Sequence, residues 1–299
     1  SLDICDPMEL ARFLSSDQIK GKYSKEEILL ISISASGGSA RVVEIINKLK
    51  ELEIPTMLIT NNVESVGAKA ADFVFNCETP EGLNTPGIRS YFASMVSLVA
   101  ISAYIGICKN NIEKARFNEI QSLIMIYIAK LMQNYEEIDT QMLCLAKEWQ
   151  DFNKFEVIGD WDEYFSAQFI EEKIIECAGS HCTHADSEDW CHINFHIGNS
   201  ARIGTIFLLN SKANDYDRML YTIQSAIGCK RPILVITDAD TNDFYNEIKV
   251  CSIPSTEETW LMPFGDFIPG SLLAGYLASV PGRFFFRERY DYINQKWNI

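Results

Sequence analysis

A run of small and hydroxyl-bearing residues occupies positions 34–39, where Ser34, Ser36 and Ser39 alternate with alanine and glycine. Small residues such as Gly37 let backbone amides approach an anion, serine hydroxyls add donors, and a following helix N-terminus favours negative charge. This chemistry fits a phosphate monoester. The run lacks the lysine of a Walker loop and is not G-x-G-x-x-G, which disfavours a nucleotide. The alternative interpretation is a strand-to-helix turn in which Ser39 caps the helix.

All four histidines fall between positions 181 and 196, among carboxylates and two cysteines. One interpretation is a polar loop after a helix, in which each histidine is solvated or hydrogen-bonded. A second is a tetrahedral metal site formed by Cys182, His184, Cys191 and His192, but their spacing is not a common zinc pattern and we expect no metal. A third is acid–base catalysis by one carboxylate and one imidazole, because imidazole titrates near neutral pH.

Alternating apolar strands and amphipathic helices must position these residues. The predicted elements of the first half are, in order, strand 28–34, helix 39–52, strand 56–60, a short helix, strand 73–75 and helices 87–107 and 112–148. The first strand is a continuous apolar run, which is typical of a parallel strand covered on both faces. The pattern predicts an α/β fold with three-layer αβα domains and mainly parallel sheets.

The second half repeats this plan in weaker form. Strand 204–209 precedes a helix over 213–227, and strand 232–237 precedes an acidic turn. We therefore predict two copies of one α/β unit. The first domain covers residues 1–150, and the second covers residues 151–299 and includes the C-terminal tail.

Charge and composition exclude several classes of partner. The 299 residues include 26 Lys and Arg against 41 Asp and Glu, a formal net charge of −15. This balance argues against nucleic acid and anionic membranes, since both require excess positive charge. No uninterrupted run of 18 apolar residues suggests a transmembrane helix, and the first residues do not resemble a signal peptide. The nine cysteines are odd in number and lack a C-x-x-C, so we expect reduced thiols and a cytoplasmic location.

Four segments, in order along the chain, resemble motifs of the sugar isomerase (SIS) domain family: 34–39, 59–72, 80–90 and 269–276. The first resembles the S-x-S-G-x-[ST] loop with which SIS domains grip the phosphate of phosphosugars. The third contains Glu81 and Arg89, which become further site candidates. The resemblance implies two SIS domains and a phosphosugar isomerase or ketosamine-6-phosphate deglycase that binds a sugar phosphate, needs no cofactor and forms a homodimer.

The same resemblance implies roles for residues in the second half. Lys173 and Glu176 resemble the K-x-x-E segment of the isomerase part of glucosamine-6-phosphate synthases, where the glutamate moves protons between sugar carbons. Glu176 and His192 have the spacing of base and acid in the deglycases, and His181 matches a further histidine there. The resemblance thus implies a buried Glu176 as base, His192 as acid and Lys173 as the group that stabilises an enolate oxygen.

The sequence departs from these families at several positions. Asp189 replaces a longer family glutamate, Ile193 and Asn194 replace Gly-Pro after His192, and residues 159–162 replace the G-x-G opening of the second domain. We also expect the first domain to lack the family's first strand and its G-x-G-x-S loop. These departures favour an alternative hypothesis, a non-catalytic phosphosugar-binding module, whereas the retained spacing of Glu176 and His192 favours the enzyme.

Overall fold

Alternating strands and helices build two compact units, residues 1–117 and 118–299, in the computed structural model. The structure describes residues 4, 7–13, 27–80, 86–245, 247–283 and 285. The first unit holds a three-stranded sheet and the second a five-stranded sheet, and every described strand pair is parallel. The predicted α/β class with mainly parallel sheets is confirmed.

The first unit places its polar loop at the carboxyl edge of its sheet. Its strands, in sheet order, are β1 (Leu30–Ile33), β2 (Thr56–Thr60) and β3 (Phe73–Asn76). Its helices are α1 (Ala40–Glu51), α2 (Val66–Ala70) and α3 (Ile88–Cys108), with a short π-helix at Glu9–Phe13. The apolar stripe of α1 buries Ile46 against Leu58 of β2 and Ala68 of α2, which fixes the start of α1 beside the end of β1.

Helix α3 is apolar on nearly all sides. Its mean hydropathy is 1.8 and only 17% of its most apolar window is buried. Among the residues that the structure describes, this one helix is long and apolar enough to cross a membrane, by length and composition alone. Arg89 and several serines interrupt the apolar residues of this helix, so it contains no uninterrupted run of 18.

The second unit contains the remaining strands and helices. Its sheet has the order β5 (His181–Ala185), β4 (Lys154–Ile158), β6 (Ile203–Leu209), β7 (Ile233–Thr237) and β8 (Lys249–Ser252). Its helices are α4 (Lys114–Gln133), α5 (Tyr135–Trp149), α6 (Asp162–Ala178), α7 (Ser187–His192), α8 (Tyr216–Gly228) and α9 (Phe267–Ser279). Short 3₁₀ helices lie at Asn194–His196, Ser200–Arg202, Thr241–Asp243 and Thr259–Phe264.

The division between the units falls earlier than residue 150, at the start of α4. The predicted helix 112–148 is two helices that separate at Asn134, and both contact other elements of the second unit. Tyr127 of α4 donates its hydroxyl to the sulfur of Met262 at 3.9 Å, and Trp149 of α5 packs on Phe155 of β4. These contacts assign the two helices to the second unit.

The eight described cysteines are free thiols and differ widely in burial. Burial raises the pKa of Cys177 and of Cys251 to about 12. Cys108 in the first unit and Cys144 in the second are exposed.

Candidate functional site

The loop Ser34–Ser39 joins the end of β1 to the N-terminus of α1. The amide of Gly37 donates to the carbonyl of Ser34 at 3.1 Å and to its hydroxyl at 3.2 Å, and the amide of Gly38 donates to the hydroxyl of Ser36 at 3.3 Å. Ser39 occupies the N-cap position, yet its side chain makes no capping bond. The first amides of a helix have no intrahelical acceptor, so this end of α1 keeps donors for an anion.

Gly37 is the position in this loop that only glycine can occupy. Its φ of +62° lies in the left-handed region, and a Cβ there would lie 2.1 Å from Ser65 Oγ and 2.9 Å from Thr60 Oγ1. Gly38 is different, since the nearest atom to its Cβ would be 3.9 Å away. The loop therefore packs closely against Thr60 and Ser65 at Gly37.

The end of β2 and the segment that follows it support the loop through hydrogen bonds. Thr60 donates its hydroxyl to the carbonyl of Ala35 at 3.2 Å, and the amide of Gly67 donates to the carbonyl of Gly37 at 2.9 Å. Ser65 caps α2 by accepting from the amide of Ala68 at 3.1 Å. The residues after β2 thus hold the shape of the loop.

The two further candidates of the first unit have different outcomes. Arg89, at the start of α3, donates to the carbonyl of Pro80 at 2.8 Å. Glu81 lies outside the residues that the structure describes. The site role predicted for each of them stays a prediction.

Lys173 and Glu176 meet on helix α6 of the second unit. The ammonium of Lys173 donates to Glu176 Oε2 at 2.5 Å and lies 4.7 Å from the ring centroid of Phe169. The Lys173 side chain is buried, whereas that of Glu176 is 39% exposed. The expected burial of Glu176 is therefore not found, and its carboxylate remains accessible to a ligand.

His192, Asp189 and His181 lie on the surface. His192 ends α7, where its Nε2 lies 2.9 Å from Glu188 Oε1 on the same helix, and its side chain is 72% exposed. Asp189 lies in the first turn of the same helix, and His181 begins strand β5. His192 is therefore hydrogen-bonded within its own helix, and its role as the acid stays a prediction.

The histidine-rich segment is a strand and a short helix, where one interpretation expected a loop. Residues His181–Ala185 form β5 at the edge of the second sheet, and α7 follows. Within the part of the chain that the structure describes, no group of three or more His, Cys, Asp or Glu could hold a metal. The set of Cys182, His184, Cys191 and His192 accordingly forms no metal centre there.

The loop after β4 is acidic and strained. Asp160 accepts from the amide of Ser187 at 2.7 Å, and Trp161, 84% exposed, has a φ of +49°, which is unusual for a residue with a side chain. Burial raises the pKa of Glu163 to about 7, and burial also raises the pKa of Asp266 well above its usual range. This edge of the second sheet offers hydrogen-bond acceptors where the first offers donors.

A buried charge network, which the sequence analysis missed, fixes the segment that carries His192. Glu156 of β4 accepts from Trp190 Nε1 at 2.7 Å and forms an ion pair with Arg231 Nη1 at 3.4 Å. Arg231 Nη2 also donates to the carbonyl of Asn194 at 2.8 Å. These bonds hold Trp190 and Asn194, which lie on either side of His192 in the sequence.

Residues 16–105 match the model of the SIS domain, and this match includes the loop Ser34–Ser39 and its supporting segment. The matched residues lie within the first unit. A second SIS domain in residues 151–299 stays a prediction, because the match ends at residue 105. Comparison with curated proteins gives no match.

Solved structures share the fold over most of the chain. The C-terminal domain of glucosamine-fructose-6-phosphate aminotransferase from Francisella tularensis has a TM-score of 0.79 at 18% identity, over 87% of this chain and 73% of that one. A candidate phosphosugar isomerase from Clostridium difficile 630 has a TM-score of 0.77 at 19% identity, over 91% and 76%. A candidate sugar-binding protein from Salmonella typhimurium LT2 has 0.76 at 17%, over 92% and 79%. At these identities the likeness shows the fold.

Proposed function

We propose that this protein binds the phosphate of a ketose or ketosamine 6-phosphate at Ser34, Ser36, Gly37 and Ser39, and that Glu176 carries out proton transfer on the sugar. The reaction is isomerisation or deglycation of the phosphosugar. The observation that carries the proposal is the loop Ser34–Ser39. Hydrogen bonds from Thr60 and Gly67 hold this loop, and it leads into a helix N-terminus whose cap residue makes no capping bond.

The chemistry of the loop favours a phosphate over a carboxylate or a metal. Three serine hydroxyls and the first amides of α1 are all neutral donors, which match the several oxygens of a monoester. The match of this segment to the SIS domain supports the same ligand. The fold neighbours named as a phosphosugar isomerase candidate and a sugar-binding candidate are consistent with it.

The Lys173–Glu176 pair supports the proton transfer. A partly exposed carboxylate can reach a carbon-bound proton, and the adjacent ammonium can stabilise the oxygen on which negative charge develops. His192 remains the resemblance-based prediction for the acid, with Asp189 and His181 as supporting candidates.

A second candidate function is phosphosugar binding without catalysis. The exposure of His192 and its bond to Glu188 favour it, because a general acid screened by water contributes less to a reaction. From the resemblance we also propose that the protein is a homodimer in the cytoplasm. Its mass measured by light scattering tests the oligomeric state.

Binding is tested with fructose 6-phosphate and fructose as a matched pair of ligands. We expect the phosphorylated sugar alone to raise the melting temperature. Replacing Ser36→Ala should weaken its affinity about tenfold, since a hydrogen bond to a charged group is worth about 1.5 kcal/mol or more. Ser122→Ala, which removes an exposed hydroxyl on α4, is the control and should bind like the wild type. Equal binding of both sugars would contradict the phosphate site.

Catalysis is tested by turnover of fructose 6-phosphate, glucosamine 6-phosphate and fructosamine 6-phosphates. Glu176→Gln should lower kcat at least about a hundredfold, the typical contribution of a general base. Glu148→Gln, which removes an exposed surface carboxylate, should leave kcat unchanged. Binding without turnover by the wild type would select the non-catalytic function.

A further inference from the structure

One histidine in the second unit has the geometry of an acid–base group, and it is not the one predicted from the resemblance. His184 of β5 hydrogen-bonds through Nδ1 to Glu171 Oε2 of α6, and the two side chains are only 21% and 19% exposed. The ring of Tyr164 lies edge-on to the imidazole, with centroids 4.8 Å apart. We propose that His184, oriented by Glu171, is the acid–base partner of Glu176, an inference that rests on the proposed function.

The contact with Glu171 determines what the other ring nitrogen can do. A carboxylate that accepts from Nδ1–H holds the neutral imidazole in the tautomer whose Nε2 is a proton acceptor. Among the described residues Nε2 has no hydrogen-bond partner, and the ring is not sealed from solvent. A carboxylate-oriented imidazole with a free Nε2 is the arrangement that general base catalysis requires.

The same region of α6 carries the predicted base. Burial raises the pKa of Glu172, and the charges of Lys173 and His184 lower it while those of Glu176 and Glu171 raise it. The Lys173–Glu176 pair lies on α6, and the His184–Glu171 pair joins α6 to strand β5.

The groups around His184 come from helix α6, strand β4 and its own strand. Helix α6 presents Tyr164, Glu171 and Glu172 to it, and the adjacent strand β4 places the uncharged Val157 beside it in the sheet register. On its own strand, burial raises the pKa of Cys182 well above its usual range, so this thiol stays neutral.

The other histidines lack this combination. His192 is 72% exposed and its partner Glu188 is exposed too, while His181 and His196 are exposed. Solvent screens such contacts, and an exposed ion pair contributes little. Burial and a fixed partner therefore single out His184.

The two proposed proton transfers of the isomerisation balance without a co-reactant. Glu176 takes the proton from the carbon beside the carbonyl and returns it to the carbonyl carbon. His184 Nε2 takes the proton of the neighbouring hydroxyl and returns it to the former carbonyl oxygen. The C–H and O–H bonds that break are replaced by one of each, and both side chains end in their starting states.

The experiment is the pH profile of kcat for fructose 6-phosphate in four variants, each checked for folding by circular dichroism. We expect His184→Gln and His184→Asn to lower kcat at least about a hundredfold and to remove the limb near neutral pH that an imidazole produces. His184→Asn keeps a donor toward Glu171 and guards against a folding defect. Glu171→Gln should lower kcat and displace that limb, whereas His196→Gln, at an exposed histidine with no proposed role, should stay within about threefold of the wild type.

The outcomes separate the two proposals. A folded His184→Asn variant with the wild-type kcat and pH profile would overturn the role of His184. If Glu176→Gln keeps the wild-type turnover, or the wild type has none, the proposed proton transfer itself fails. If the substitutions of His184 raise only KM, His184 is a binding residue, and this result would also overturn the inference.

Discussion

The loops after β1 and after β4 both follow the carboxyl end of a strand in a parallel sheet, and they differ in chemistry. The first, Ser34–Ser39, is neutral, rich in donors and supported by Thr60 and Gly67. The second, residues 159–162, presents Asp160 and leads into the buried Glu163. Topology places a crevice at the carboxyl ends of parallel strands, and the residues of the loop decide which charge that crevice accepts. Only the first of these two loops suits a phosphate.

The stability of the second unit depends on the buried ion pair between Glu156 and Arg231, and we expect the largest effect when one of the two charges is removed. Arg231→Met should lower the free energy of unfolding by about 3–5 kcal/mol, because it leaves Glu156 buried without its ion pair. Urea unfolding measures the loss. The double variant with Glu156→Gln should lose less, since no charge is then stranded. Equal losses in both variants would contradict a role for the charge.

The pH dependence of the second unit should follow Glu163. Burial raises its pKa from 4.5 to about 7, so the folded state holds a proton that the unfolded state releases. Stability should therefore fall as the pH rises from about 4.5 through 7, by up to about 3 kcal/mol. Unfolding of the wild type and of Glu163→Gln across this range measures it, and the variant should lack this part of the slope.

The first unit should show the opposite dependence. Hydrogen bonds from the amide and hydroxyl of Thr56 hold the pKa of Asp72 below its usual value of 3.8. The stability that these bonds contribute is present above that value and is lost as the pH falls. Asp72→Asn should therefore flatten the acid side of the unfolding profile, and an unchanged acid side would refute this.

The stability of the loop Ser34–Ser39 should depend on Gly37 and much less on Gly38. Gly37→Ala should cost about 2–3 kcal/mol, because its φ is positive and its Cβ would collide with Ser65 and Thr60. Gly38→Ala has space for the methyl group and should change stability by less than about 0.5 kcal/mol. Thermal unfolding with and without fructose 6-phosphate compares them, and equal losses would show that the loop is not pressed against its support.

The smallest expected effect is a gain in stability from a substitution in the loop 159–162, which follows β4. Trp161→Gly should stabilise the protein by about 1 kcal/mol, since glycine adopts its φ of +49° without strain and the exposed indole packs on little. Trp161→Ala keeps the strain and is the control. A loss of stability in Trp161→Gly would mean that the indole makes contacts that outweigh the strain.

Local features were predictable from the sequence, and contacts distant along the chain were not. The loop at 34–39 depends on adjacent residues, and Lys173 meets Glu176 because positions three apart share a helix face. His181–Ala185 was open to interpretation as a loop because its polar residues lie on an edge strand, where alternation of apolar residues is weak. The His184–Glu171 and Arg231–Glu156 contacts depend on sheet register, which periodicity does not reveal.

The uneven burial of the cysteines makes the protein a convenient substrate for thiol labelling. A maleimide dye reacts with the thiolate, which burial suppresses at Cys177 and Cys251. Among the described residues, the exposed thiols are Cys108 in the first unit and Cys144 in the second. Fluorescence from single-cysteine variants at these two positions can therefore follow each unit separately during sugar binding and unfolding.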